Sequence, residues 1–265
     1  MVQENDSAKP LELIDSHCHL DFPEFDENRE ALINECTVKG VKKFIVPGVT
    51  ADTWPRLKKV ANDYSSIYPA YGLHPYFLAE HKLEHVEALK VFIQNNPSIA
   101  IGEIGLDYYL KNLDRNFQQK LLLAQLALAN ELNLPVILHV RKAHDDVLSF
   151  LKQFSLVGGT VHAFNGSFQQ AEQYLKLGFK LGFGGAMTFE RARHLRQLVS
   201  DLPLEAIVLE TDAPDMRPAN YSQEINTPLT VLTVFRQICE LRSESPQQIA
   251  NQMTANTCAI FSLPN

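Results

Sequence analysis

The sequence predicts a (β/α)₈ barrel, and three observations carry that expectation. Eight short apolar runs alternate with helical patterns along 265 residues, close to the ~250 typical of such barrels. The runs are rich in Val and Ile and lack clean polar–apolar alternation, as parallel strands covered on both faces should. The first run ends in HCHLDF and not in the glycine-rich phosphate loop that an open doubly wound sheet places there. No Gly/Ser-rich or Pro-rich linker divides the chain, so one domain over residues 1–265 is expected, with its core at about 11–262.

The first strand, ELIDS (12–16), precedes a helical pattern from Asp26 to Lys39 that stops at Gly40, a residue suited to the left-handed turn after a helix. KFIVPGV (43–49) leads into Asp52 to Tyr64, with Asp52 as the candidate cap. IYPAYGL (67–73) precedes Leu83 to Asn95, and SIAIGEIG (98–105) precedes Asn116 to Leu132. PVILHV (135–140) leads into Ala143 to Phe154. GTVHAF (159–164) leads into Phe168 to Leu177, capped by Ser167 and ended at Gly178. FKLGFGG (179–185) precedes Glu190 to Ser200, and AIVLET (206–211) is the eighth strand. Leu229 to Arg242 and Pro246 to Phe261 close the chain as helices.

Composition narrows the setting. The chain is 45% hydrophobic and 21% charged, enough for a sizeable core. A net charge of −7 argues against a general nucleic-acid coating surface, yet it leaves room for a local positive site or a metal. The opening MVQENDSAKP is polar, and apolar runs such as LLLAQLALA are too short to span a bilayer, so a soluble, cytoplasmic protein is expected. Cys18, Cys36, Cys239 and Cys258 lack the spacing of a zinc or redox site and read as reduced thiols.

Barrel enzymes place their reactive groups at the C-terminal ends of the strands. The first strand delivers His17 and His19, which share a side if the strand continues through them, with Cys18 turned away into packing. The third ends at His74, the fourth contains Glu103, the fifth ends in His139 and Arg141, the sixth at His162 and the eighth at Asp212. Singly, each has an ordinary reading, such as a hydrogen-bonded core histidine or a turn former. Together, four imidazoles and two carboxylates on one rim would be costly without a cation. His17, His19 and Asp212 supply one ligand set, His139 and His162 a second, and Glu103 can bridge them. Two ions about 3.5 to 4 Å apart would activate water for phosphoryl displacement, with Asp212 as proton acceptor.

DSHCHLDF, GLHP, GEIGLDYY, PVILHVR, VHAFNGS and LETDAPDMRP, in this order and spacing, resemble the TatD-type metal-dependent deoxyribonucleases of the amidohydrolase superfamily, closest to members known only as metal-dependent hydrolases. The resemblance runs from about Leu13 to Phe261. It implies a TIM barrel with one metal held by His17, His19, Glu103 and Asp212 and another by Glu103, His139 and His162. It further implies hydrolysis of phosphodiesters, typically DNA, with two divalent ions drawn from magnesium, manganese or zinc. Glu103 stands where the wider superfamily often uses a carbamylated lysine. One segment departs: Ile225, Asn226, Thr227 and Pro228 occupy the place where the family often reads Arg-Asn-Glu-Pro, on the substrate side of the rim.

Substrate contacts are expected from His74 and Arg141, the latter free to fork a phosphate or to pair with Asp145 or Glu103. Asn165, Gly166 and Ser167 enter a helix whose amides could bind an anion. Arg217 could reach the rim, and Tyr108 and Tyr109 could stack a base. The expected activity is a deoxyribonuclease with DNA as substrate and no membrane or stable protein partner. An amidase or lactonase using the same metal pair is the alternative enzyme. A metal-binding interaction protein without turnover is the third reading.

Overall fold

Eight parallel strands and nine helices make up the computed structural model, which describes residues 11–264; the polar stretch MVQENDSAKP lies outside that range. The strands are β1 (Leu13–Asp15), β2 (Val41–Pro47), β3 (Ile67–Ala70), β4 (Ile101–Asp107), β5 (Val136–Arg141), β6 (Gly159–His162), β7 (Phe179–Phe183) and β8 (Ile207–Leu209). Between and after them lie α1 (Arg29–Val38), α2 (Trp54–Asp63), α3 (Glu84–Asn95), α4 (Arg115–Leu132), α5 (His144–Leu151), α6 (Phe168–Lys176), α7 (Arg193–Asp201), α8 (Val231–Leu241) and α9 (Pro246–Phe261). The eight β/α units form a TIM barrel, as the alternation predicts.

The strands pair in two groups, β1-β2-β3 and β4-β5-β6-β7-β8. Two thinner seams close the ring. At one, the Ser16 amide donates to the Leu209 carbonyl at 2.8 Å. At the other, Gly102 donates to Tyr71 and Glu103 to Gly48, each at 3.0 Å.

Apolar side chains fill two spaces. The larger cluster lies between strands and helices, and a smaller one gathers Ile14, Ile45 and Ile137 with Cys258 and Phe261 of α9. Burying each such Ile or Phe contributes about 1.5–3 kcal/mol. Asn256 of α9 donates to the carbonyls of Leu204 and Ile207 at the start of β8, and Thr254 donates to Glu12 at the start of β1. The last helix therefore stoppers the N-terminal end of the barrel, and chemistry is left to the other end. No helix among the described residues is long and apolar enough to cross a membrane.

Local signals behave as the sequence suggests in some places and not in others. Gly40 and Gly178 follow helices at φ +96° and +83°. Ser167 and Gln170 form a full capping box on α6. Asp52 does not cap α2: the helix starts later, at Trp54, after Thr53, whose hydroxyl is spent on the Thr50 carbonyl. The predicted Asp26 start of the first helix is replaced by a 3₁₀ turn at Pro23–Phe25, with Asp26 paired to Arg29 and Arg56. The first strand ends at Asp15, so His17 and His19 stand in the following loop, and the pleat does not align them. Cys18 between them is fully buried in the larger core cluster.

Candidate metal centre

Each ligand candidate except Glu103, which lies within β4, is delivered by the last residues of a strand or the first residues beyond it. The loop after β1 is fixed to the end of β8: Asp15, fully buried, accepts from the Thr211 amide at 3.0 Å and pairs with the Thr211 hydroxyl at 2.5 Å. Burial pushes the Asp15 carboxyl up to about 8, with the Thr211 contacts opposing. The Asp212 amide donates to the His17 carbonyl at 2.8 Å, which sets Asp212 beside the histidine pair. Asp212 itself adopts φ +56°, a left-handed conformation that costs a non-glycine residue roughly 1–2 kcal/mol.

Glu103, buried at 1% exposure, is the hub. Its Oε2 lies 3.1 Å from His17 Nε2 and 3.7 Å from His19 Nε2. Its Oε1 lies 3.2 Å from His139 Nδ1 and 3.1 Å from His74 Nε2. Asp212 Oδ1 stands 3.6 Å from both His17 and His19, and its Oδ2 stands 3.6 Å from His162 Nε2. Three donor sets are thereby compact, each with its ligand atoms within 4.8 Å: His17, His19 and Asp212; His17, Glu103 and His162; His74, Glu103 and His139. The expected second set, Glu103 with both His139 and His162, is not among them, and the rings of His139 and His162 are 6.3 Å apart. His162 instead stacks on His17 at 3.8 Å.

The hydrogen bonds behind the rings sort the histidines by tautomer. His19 Nδ1 meets the Pro47 carbonyl at 3.2 Å, so it carries the proton and leaves Nε2 bare toward the carboxylates. His139 Nε2 meets Asp107 at 3.1 Å, leaving Nδ1 toward Glu103. His162 Nδ1 lies 3.2 Å from Glu210 without hydrogen-bond geometry, and its Nε2 is turned toward Asp212. His74 is the reverse case. Its Nδ1 accepts from the Tyr76 amide at 3.0 Å, so the proton sits on Nε2 and is donated to Glu103. In this arrangement His74 donates to the Glu103 carboxylate and does not offer it a bare nitrogen.

A cation fits this chemistry. Both nitrogens of buried His17 lack a hydrogen-bond partner, although Nε2 is 3.1 Å from Glu103, because the contact angle is not that of a hydrogen bond. Without an ion, protons stand in. Burial pulls His19 and His162 down, but Asp212, with Glu103 beside the first and Glu210 beside the second, lifts them to about 9 and about 10. Burial pushes Asp212 up, but His162, His19 and His17 outweigh it and hold the carboxyl at about 2. Burial lowers His74 to about 4, which keeps it neutral.

Residues of the second layer escape a motif search. Asp107 behind His139 and Glu210 behind His162 are both buried, and Glu210 Oε1 also accepts from the Ala163 amide at 2.7 Å. Even spacing was the available signal: Glu103 and Asp107 are four apart on one strand, and Glu210 and Asp212 two apart at the end of another. Gly182 makes room for Glu210, since a Cβ there would lie 2.0 Å from its Oε2. Outer carboxylates of this kind tune affinity, so Glu210→Gln is expected to weaken divalent-ion binding by roughly 10–100-fold in competition titrations with a chelating dye.

A cavity of about 600 Å³ opens over the centre, lined by His19, His74, Glu103, His139, His162 and Asp212 at its polar floor and by Phe164, Phe183, Met187 and Leu195 on an apolar wall. Arg141 also lines it, with its guanidinium 4.0 Å over the Tyr109 ring and 3.8 Å from Asp107, so neither Asp145 nor Glu103 is its partner. Tyr109 is exposed, whereas Tyr108 is tied to Asp146 through its hydroxyl at 2.8 Å and lies under Arg115. Arg217 donates to the Gln223 carbonyl and does not line the cavity. In the departing segment, Asn226 is fully buried and donates to the Thr211 carbonyl at 2.9 Å, so it braces the strand end that carries Asp212.

Comparison with known proteins agrees with this geometry. Residues 14–262 match the family model of TatD related DNases. The uncharacterised metal-dependent hydrolase YjjV of Escherichia coli K12 is 41% identical over 95% of this chain and 98% of its own length. YabD of Bacillus subtilis, another uncharacterised metal-dependent hydrolase, is 34% identical over 94% of this chain and 98% of its own. The crystal structure of YjjV superposes with a TM-score of 0.92 over the same 95% and 98% of the two chains. A TatD-family hydrolase from Entamoeba histolytica, at 20% identity, shares the fold with a TM-score of 0.82 over 96% of this chain and 99% of its own. With the family model matching nearly end to end and the histidine–carboxylate hub in place, the chain belongs to the TatD related DNase family and is a metal-dependent hydrolase.

Proposed function

We propose that the protein hydrolyses phosphodiester bonds, with DNA as the substrate, using two divalent ions bridged by Glu103. The observation that carries this reading is the division of Glu103, whose two oxygens face different imidazole sets. His17, His19 and Asp212 would hold one ion, and His139 would hold the other once His162, now 6.3 Å away ring to ring, draws toward it; a mixed imidazole and carboxylate set suits zinc or manganese, and magnesium where water completes the shell. Bound ions supply a water acidic enough to attack at neutral pH and positive charge for the phosphoryl oxygens.

The chain's own groups do the rest. Asp212, ionised and at the cavity floor, accepts the proton of the attacking water on an Oδ. His74 Nε2–H, held by the Tyr76 amide, fixes Glu103 and presents a neutral donor edge to the cavity. Arg141, steadied by Tyr109, presents a guanidinium fork to a non-bridging phosphate oxygen. The apolar wall shields the reacting phosphate from bulk water.

The test is an activity screen with Mg²⁺, Mn²⁺ and Zn²⁺ on single-stranded oligonucleotides, bis(4-nitrophenyl) phosphate and small amides and lactones. Oligonucleotide cleavage that falls about 10³-fold in Asp212→Asn supports the reading. Turnover of amides or lactones alone would sink it. The apolar wall is the feature that favours that outcome.

A further inference from the structure

The acidic chain concentrates cations in one place beside the cavity. The stretch ERARHLRQ (190–197), from the loop after β7 into α7, carries Arg191, Arg193 and Arg196 against a single acid, Glu190. Among the described residues none of the three takes part in an ion pair, whereas Arg29, Arg56 and Arg242 are each paired with a carboxylate. The Arg191 guanidinium lies over the Phe189 ring, 5.3 Å from its centroid.

Helix stability does not account for them. Arg193 and Arg196 begin α7, whose first turn contains no acidic residue, although the positive end of the helix dipole favours acids there and disfavours arginines by about 0.3–1 kcal/mol each. A cost without an internal partner points to an external anion.

Their position gives that anion a path. Leu195, between them, lines the cavity. His194 Nε2 bonds the Gly166 carbonyl at 2.8 Å and ties the start of α7 to the loop after β6, where Asn165 also lines the cavity. Since β5, β6 and β7 are neighbours, Arg141, Asn165 and the three arginines follow one another around the rim, and the exposed acid between them, Asp145, is bonded to Gln170 at 2.7 Å. The opposite part of the rim leans acidic: Glu24, Glu27, Asp52 and Glu80 are exposed after β1, β2 and β3 beside Lys82, while Asp26 there is paired with Arg29 and Arg56.

We propose that this arc is the docking surface for the strand of nucleic acid that flanks the scissile phosphate. The proposal rests on the phosphodiesterase reading and deepens it. The cavity takes the reacting phosphate, and Arg191, Arg193 and Arg196 take successive backbone phosphates leaving it, away from the acidic half of the rim. Guanidinium groups without a carboxylate partner suit phosphate oxygens, and they grip without regard to base sequence.

The test uses the full-length chain with cations chelated and follows anisotropy of a dye-labelled single-stranded 15-mer. In R191Q/R193Q/R196Q, Kd is expected to rise at least about 10-fold at 0.1 M salt, and the log Kd against log salt slope to fall by about 2, from roughly 0.7 per lost phosphate contact. The triple lysine variant keeps most of the binding, because it keeps the charge. The melting midpoint of the glutamine variant does not fall below that of wild type, since removing Arg193 and Arg196 from the positive end of α7 relieves a cost of about 0.3–1 kcal/mol each. Equal affinity and slope in wild type and the glutamine variant would overturn the proposal. Displacement of the 15-mer by polyglutamate as readily as by unlabelled DNA would also overturn it, in favour of an acidic protein partner. If the wild type binds the 15-mer through these arginines yet hydrolyses neither it nor bis(4-nitrophenyl) phosphate with any metal, the docking surface stands and the phosphodiesterase reading falls.

Discussion

Glu103→Gln is expected to lower kcat/KM by about 10⁴-fold or more and to leave one bound divalent ion or fewer per chain. The reason lies in the two-sided use of the carboxylate, with His17 and His19 on one oxygen and His139 and His74 on the other. Glutamine keeps the shape but turns one of those oxygens into an amide NH₂. An amide NH₂ can donate to a bare ring nitrogen but cannot ligate a cation, so whichever oxygen it replaces leaves one imidazole set without its carboxylate partner for an ion. Metal content after dialysis, measured by elemental analysis, and far-ultraviolet circular dichroism separate loss of the ions from loss of the fold. Two ions retained with a rate within 10-fold of wild type would remove Glu103 from its bridging role.

Removing the ions altogether is the second large effect, and it should depend on pH in a definite direction. In the cation-free protein His19 and His162 are lifted to about 9 and about 10, above the 6.5 of an unperturbed histidine. A base whose folded value is raised stabilises the fold fully below the unfolded value and loses that contribution as pH rises through the folded one. Between about pH 6.5 and 10 the chelated protein therefore loses stability. An ion needs the same nitrogens deprotonated, so its affinity climbs over that range as protons are released. The melting midpoints with and without a chelator should be closest near pH 6 and diverge toward pH 9. With free ion at ~1,000 times Kd, binding contributes about 4 kcal/mol, which is about 8–16 °C in a chain of this size. Midpoints that do not separate at any pH would mean that no ion is bound by these histidines.

The barrel was legible because each local signal agreed with the others: short apolar runs, helical stretches stopping at Gly40 and Gly178, and length. The site was legible as a convergence. His17, His19, His139, His162 and Asp212 fall at or just beyond strand ends in sequence and Glu103 within a strand, and the structure brings the six together beneath one cavity. What the sequence could not express was hydrogen-bond direction. His74 and His139 look alike at a strand end, and only the Tyr76 amide behind one and Asp107 behind the other make the first a donor and leave the second a bare nitrogen. Asp107 and Glu210 were hidden for a related reason, since a carboxylate that aims a histidine has no signature apart from the ring it aims. Boundaries at Asp15 and Thr53 shifted because side-chain bonds to Thr211 and to Thr50 competed with the regular backbone pattern.

The two seams of the barrel give the centre a mechanical meaning. His17, His19 and His74 belong to the three-stranded arc, and Glu103, His139, His162 and Asp212 to the five-stranded one. The arcs are joined by backbone bonds such as Ser16 to Leu209, Asp212 to His17 and Gly102 to Tyr71, and a metal ion held between them would add a rivet to each seam's bonds. The candidate metal centre would then also be a fastener of the ring, and loss of its metal would loosen the grip of the protein on its own circumference.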